Sequence, residues 1–231
     1  MFDRIAFRYD FLNRFLSGGI DLYWRRRAIR ELSFLKKKKG RYPLHILDVA
    51  TGTGDMAIML TKYIPSCQVT GIDISGGMLE IGRQKVDRLK LSGRIELVAG
   101  DSEAIQLPDH TFDAITVAFG VRNFENLDKG LQEMWRVLKP GGRLVVLECT
   151  HPRMPGVRQI YALYMRLVAP KLGKMVSSSR EAYQYLNDSV RAFPEGKDFV
   201  GILERNGYTR TGLRRLSLGV CTLYTGEKAG N

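Results

Sequence analysis

The sequence predicts an α/β protein: a doubly wound, mostly parallel sheet with an antiparallel last strand, N-terminal helices ahead of it and a helical lid inserted late. Three observations carry this. The run His45-Ile46-Leu47-Asp48-Val49 breaks into the turn Ala50-Thr51-Gly52-Thr53-Gly54, and the helical pattern Met56, Ile58, Met59, Leu60 follows. Three acids, Asp48, Asp73 and Asp101, stand at the ends of three predicted strands. Two final strands near the C-terminus, 209–218 and 220–227, are joined closely around Gly219, too close for a crossover, so they should pair antiparallel.

Each element has a local reason. Residues 1–43 read as a helical cap. Residues 44–150 form the ligand-binding core. In it, strands are expected at 44–49, 67–74, 95–101, 112–119 and 142–150, and helices at 55–63, 76–90 and 126–138. Pro140-Gly141-Gly142 should stop the third of these helices and turn the chain into the last parallel strand. Residues 151–193 read as a helical lid. Residues 194–231 hold a helix at 196–206 and strands at 209–218 and 220–227. The 231 residues suit a single domain with appendages.

Ligands in such sheets bind outside the carboxyl ends of the strands, where the strand order reverses. Gly52 and Gly54 remove the β-carbons that would hold a ligand off the backbone. Gly52-x-Gly54-x-x-Ala57 also fits a dinucleotide pattern, with Asp73 near the spacing for a ribose hydroxyl. A pyrophosphate, however, favours an uncluttered positive helix end. Here Asp55 sits at the helix start, either as a simple N-cap or as part of the site, and Asp48 and Asp101 add charge. That favours a ligand with a cationic centre, ribose hydroxyls and no phosphate, S-adenosylmethionine rather than NAD.

Composition sets bounds. The hydrophobic fraction of 44% supports a sizeable core, and no apolar run reaches membrane-spanning length. No secretory or organellar targeting segment is expected. Cys67, Cys149 and Cys221 show neither metal-ligand spacing nor a disulfide framework, which suits a reducing cytoplasm; no metal site is expected. The net charge of +12 is uneven. Arg25 to Arg41 holds nine basic residues against Glu31 alone, and Cys149 to Arg180 holds six cations and no acid among aromatic and aliphatic residues. A solvated face, an anionic membrane surface and a nucleic acid all fit such runs; the aromatic interleaving favours the membrane, although such a stripe is more commonly core.

The chain resembles the ubiquinone/menaquinone biosynthesis C-methyltransferases over essentially its whole length. The motifs are Phe2-Asp3-x-Ile5-Ala6-x-x-Tyr9-Asp10, Asn13-x-x-Leu16-Ser17, Trp24-Arg25-Arg26, Gly52-Thr53-Gly54-Asp55, and Asp73-Ile74-Ser75-x-x-Met78-Leu79. Further on come Phe119-Gly120-Val121-Arg122-Asn123, Arg136 to Gly142, Tyr183-x-Tyr185-Leu186 and Ser189-x-Arg191-x-Phe193-Pro194. The glycine loop and the Leu138 to Gly142 turn occur in many methyltransferases; the segments at 119–123 and 183–194 are far more particular. The resemblance implies the class I S-adenosylmethionine-dependent fold, in which an antiparallel final pair is typical. It also implies C-methylation of a polyprenylated quinol ring, naphthoquinol (demethylmenaquinol to menaquinol) ahead of methoxy-benzoquinol.

The resemblance also implies roles. Thr53, Asp73, Asp101 and Ser102 would hold the cofactor, with Asp73 on the ribose and Asp101 and Ser102 on the adenine; Asp48, Thr51, Gly52, Gly54, Ile74 and Ala118 complete that set. Ala118 stands where some relatives carry a hydroxyl. Arg122 and Asn123 would form the catalytic floor, with Arg122 stabilising a developing phenolate, and Tyr9 and Asp10 would close over it. Tyr185 and Arg191, with Tyr161 and Tyr164, would form the substrate wall. Removing a phenolic proton sharpens a ring carbon as nucleophile, so a base or water relay is expected; His151, after the last parallel strand, is a candidate.

The rival class is a nucleic-acid methyltransferase. Amino-methylating enzymes usually carry Asn/Asp-Pro-Pro-aromatic after the fourth strand, where this chain has Ala118 to Asn123. Cys149-Thr150 lacks the surroundings of a cytosine nucleophile. No nucleic-acid partner is therefore expected. The expected partners are a quinol and an anionic membrane, reached from the cytoplasm at the inner face; monomer and homodimer both stay open.

Overall fold

The computed structural model describes residues 19–37, 43–152, 154–159, 163 and 188–230. Its elements run α1 (Asp21–Arg30), β1 (Leu44–Val49), α2 (Asp55–Tyr63), β2 (Cys67–Asp73), α3 (Gly76–Arg88), β3 (Ile95–Ala99), β4 (Phe112–Ala118), α4 (Leu127–Val137), β5 (Leu138–Cys149), α5 (Lys197–Arg205), β6 (Tyr208–Leu216) and β7 (Cys221–Lys228). They form one seven-stranded sheet in the order β3-β2-β1-β4-β5-β7-β6. β1 pairs parallel with both β2 and β4, and β7 pairs antiparallel with both β5 and β6. The chain thus winds outward from β1 to β3 and restarts at β4 on the other side of β1. The crevice at that reversal is the predicted ligand site.

Alternation along the strands explains the two covered faces. Ile46 of β1 faces a core with Trp24, Ala28, Leu60, Leu79 and Leu147, while Leu47 and Val49 face a second core with Leu131, Met134, Phe199 and Tyr224. The first core is capped by α1, α2 and α3, the second by α4 and α5. Local signals set the helix ends. Ser75 caps α3 by accepting from Met78 N, and Asn126 caps α4 by accepting from Lys129 N. α1 carries Asp21 in its first turn and Arg27 and Arg30 in its last, matching its dipole.

Several boundaries differ from expectation by one or two residues, and one by four. β5 begins at Leu138, directly after α4, rather than at 142. Leu138 already pairs with Phe112, and the register then shifts before Ala114 meets Arg143. Pro140-Gly141-Gly142 is absorbed as an irregularity inside the strand, with Gly141 at φ 72°. Pro140 has no N–H for the ladder, which is why pairing lapses there. The chain reaches α5 through Phe193, whose ring lies 5.0 Å from Phe199, and Gly196 N donates to the Tyr224 hydroxyl at 2.8 Å. No described helix is long and apolar enough to cross a membrane.

Candidate active site

The glycine turn after β1 is built by its neighbours. Ala50, Gly52 and Gly54 all adopt positive φ (51°, 58° and 78°), and Gly54 N donates back to Thr51 O at 3.0 Å. Asp73, the last residue of β2, accepts from Gly52 N at 2.8 Å and from Ser75 N at 2.9 Å. One carboxylate therefore ties the glycine turn to the start of α3. On the other side, Gly120 passes so close to Ala50 that a β-carbon there would sit 2.4 Å from the Ala50 methyl. Phe119, just before it, is held at φ 63°. Left-handed backbone at a bulky residue is costly and clusters at functional sites.

Asp48 lies beneath the turn, fully buried. Thr51 and Thr116 each donate a hydroxyl to it at 2.6 Å. Burial pushes its carboxyl up to about 6, with the two hydroxyl bonds pulling the other way. Asp55 is the first residue of α2, but the cap position belongs to Gly54, so the N-cap expectation fails: left-handed backbone there demands glycine. Lys85 Nζ instead reaches Asp55 at 3.1 Å and the Thr53 hydroxyl at 2.6 Å. This lysine places positive charge beside an acid that the sequence alone left uncompensated.

Asp48, Ala50, Asp55, Asp73, Phe119 and Gly120 are among the residues that line a cleft of about 450 Å³ at the β1/β4 reversal. Of the residues expected to hold a cofactor, Asp48, Thr51, Gly52, Thr53, Asp73, Ile74, Asp101, Ser102 and Ala118 all line it. Gly54 sets the turn. Ile74, 76% exposed, and Met78 form an apolar part of the cleft wall. Asp101 accepts from Glu103 N at 2.8 Å, which fixes its carboxylate at the rim.

The substrate-side expectations divide. Asn123 lines the cleft. Arg122 does not: its guanidinium pairs with Glu148, both side chains being buried. His151 also stands off the cleft, its backbone N–H donating to Glu195 Oε2 at 2.8 Å. Arg191 is exposed on a short helical stretch and does not line the cleft. Tyr9, Asp10, Tyr161, Tyr164 and Tyr185 lie outside the described residues.

Arg25 and Phe119 are among the cleft residues that escaped the sequence reading. Arg25, grouped there with the surface cations, is only 8% exposed; it lines the cleft with its guanidinium 5.3 Å from the Phe119 ring centroid and 3.8 Å from Asp21. Phe119 itself forms the cleft wall, with Trp24 at 6.1 Å. The Trp24-Arg25-Arg26 motif carried the signal, but its charge pointed to solvent. Cys149 fails as a nucleophile, because desolvation pushes its thiol up to about 12.

A model of the ubiE/COQ5 methyltransferase family matches residues 1–228. The chain belongs to this family. It is 47% identical over 228 residues to the demethylmenaquinone methyltransferase of Bacteroides fragilis, covering 99% of this chain and 91% of that protein. It is 47% identical over 229 residues to the ubiquinone/menaquinone biosynthesis C-methyltransferase UbiE of Geotalea daltonii, covering 99% and 94%. Among solved structures it is similar to an S-adenosylmethionine-dependent methyltransferase of Thermotoga maritima, with TM-score 0.65, 16% identity, and 98% and 97% of the two chains covered. It is also similar to phosphoethanolamine N-methyltransferase 2 of Haemonchus contortus in complex with S-adenosylmethionine, with TM-score 0.60 and 15% identity over 87% of this chain and 52% of that one. The fold is the class I methyltransferase fold and the cofactor is S-adenosylmethionine. The cleft suits that cofactor: an open glycine turn, two rim carboxylates for hydroxyl and amino donors, an apolar wall for a base, and a buried acid for a cation.

Proposed function

We propose that this protein methylates a ring carbon of a polyprenylated quinol, converting demethylmenaquinol to menaquinol. The observation that carries the reading is the 47% identity, over 99% of the chain, to a relative named demethylmenaquinone methyltransferase. S-adenosylmethionine supplies an electrophilic methyl group when bound. The ring carbon would attack that methyl in line, the carbon–sulfur electron pair would leave with S-adenosylhomocysteine, and the proton of the ring carbon would pass to a base or to water. The ring must be reduced, because a quinone is too electron-poor to attack.

The residues divide the work. Asp73 holds the ribose hydroxyls and the turn at once. Asp101 and Ser102 take the adenine edge, and Ile74 and Met78 its face. Asp48 sets negative potential beneath the turn. On the far wall, Asn123 touches the substrate and Arg122 stabilises phenolate charge or positions Asn123. Tyr9, Asp10, Tyr161, Tyr164 and Tyr185 keep the substrate-side roles expected of them, whereas Arg191 and His151, which stand off the cleft, would reach the substrate only beyond its rim. Much of the acceleration comes from holding methyl and carbon in line. Because a polyprenyl tail is insoluble in water, the enzyme works from the cytoplasm at a membrane surface, peripherally and with its basic segments toward anionic lipid.

Mass spectrometry of quinones from cells lacking the protein tests the ring. Accumulation of demethylmenaquinone is expected. Accumulation of the unmethylated methoxy-benzoquinol would move the substrate to the ubiquinone path, and an unchanged quinone pool would overturn the reading.

A further inference from the structure

The turn between β6 and β7 spends backbone strain to put a leucine in water. Ser217, Leu218 and Gly219 take positive φ in succession (45°, 58° and 95°). A left-handed leucine is rare, and a leucine so placed normally gains packing in return. Leu218 gains little, being 62% exposed. The turn is nevertheless pinned. The Thr150 hydroxyl donates to Gly219 O at 2.9 Å, Thr150 N donates to Val220 O at 2.9 Å, and the Trp24 indole donates to the Ser217 hydroxyl at 2.8 Å.

Its position matters. β6 runs parallel to β5, and through β7 the register sets Leu216 level with Cys149, at the cleft end of the sheet. Trp24 links the turn to the cleft, holding Ser217 by its N–H while its ring lies 6.1 Å from that of Phe119. The surroundings are both apolar and basic. Pro152 passes directly beside Gly219, and Met154, two residues on, is 55% exposed. Arg214 and Arg215 precede the turn, both exposed; Glu31 offsets Arg214 at 3.4 Å.

We propose that the β6–β7 turn docks the protein on an anionic bilayer, with Leu218 entering the boundary between headgroups and acyl chains and Arg215 meeting lipid phosphates. An exposed apolar tip flanked by cations, on a chain of net charge +12, matches a surface that is apolar within and negative outside. Docking there sets the cleft beside the membrane, with Trp24 as the rigid link. The inference rests on the reading of a lipid-dissolved quinol for its purpose, but not for its test.

The test measures partition of the full chain onto phosphatidylcholine vesicles with and without phosphatidylglycerol. Asparagine tolerates left-handed backbone, so Leu218→Asn should keep or raise Tm while lowering partition roughly tenfold, the effect of no longer burying one leucine. Arg215→Glu should weaken binding to anionic vesicles and leave neutral ones unchanged. Unchanged partition of Leu218→Asn overturns the proposal, as does finding that Leu218 instead stabilises a dimer in vesicle-free sedimentation. Turnover of a short-tailed quinol is measured in parallel. Its absence in the parent protein would refute the quinol reading alone, while normal turnover with vesicle binding indifferent to Leu218 would refute the docking alone.

Discussion

Arg122 and Glu148 form a buried ion pair that joins the loop after β4 to the end of β5. The Glu148 carboxylate accepts from the Arg122 guanidinium, from Arg122 N at 3.3 Å and from Cys149 N at 2.8 Å. The two side chains are 3% and 0% exposed. The pair therefore fixes the backbone just before Asn123, which lines the cleft.

Removing one member of such a pair strands a buried charge. Arg122→Ala should lower stability by about 3–5 kcal/mol, read by denaturant unfolding. It should also lower turnover with little change in donor affinity. The double variant Arg122→Met/Glu148→Leu separates the two effects, since it removes both charges and should regain most of the stability. If it also regains turnover, Arg122 is only a scaffold; if turnover stays low, the guanidinium acts on the reaction.

Asp73 holds the glycine turn against the start of α3, and its proposed second role is to hold the ribose. Asp73→Ala should weaken S-adenosylmethionine binding by roughly 1–3 kcal/mol in calorimetry, the usual effect of leaving polar partners unmet. Some of that loss comes from freeing Gly52 N and Ser75 N. Asp73→Asn retains an acceptor and should lose less. Equal donor affinity in all three proteins would remove Asp73 from the site.

Asp48 predicts an unusual pH dependence. Its carboxyl is raised from 3.8 to about 6 by burial, so between those values the folded protein holds a proton that the unfolded chain releases. Stability from this group is present below about 4 and is lost as pH rises through about 6, by roughly 3 kcal/mol in total. Asp48→Asn should flatten that part of the stability profile, and an unaltered profile would refute the assignment. The ionised acid beneath the cleft should favour a sulfonium, so donor affinity should rise with pH through about 6. The affinity of uncharged S-adenosylhomocysteine should change less across the same range.

Gly120 tests the close approach of the two walls. Gly120→Ala would drive a methyl group to 2.4 Å from that of Ala50, so either the turn after β1 or the loop after β4 must move. Donor affinity should fall, with a stability loss of about 1–3 kcal/mol from overpacking. Wild-type affinity and Tm in this variant would show that the loops yield freely.

Much of this protein was legible from the chain alone, because the decisive signals are local. Strand, glycine turn and helix at 44–63 follow from side-chain periodicity and two glycines, and the antiparallel end follows from the short link at Gly219. The strand-end acids gave the cofactor, since acids near a helix start suit a cation better than a phosphate. Tertiary structure decided what depends on partners distant in sequence. Arg25 looked like a surface cation until packing against Phe119 buried it. Arg122 faced a substrate on paper, whereas Glu148, 26 residues away, holds it. Trp24 and Ser217 meet across 193 residues. A sequence shows the period of a helix or strand, which is set within a few residues. It does not show which side chains meet when the sheet folds over, because those contacts are chosen by the packing of the whole chain.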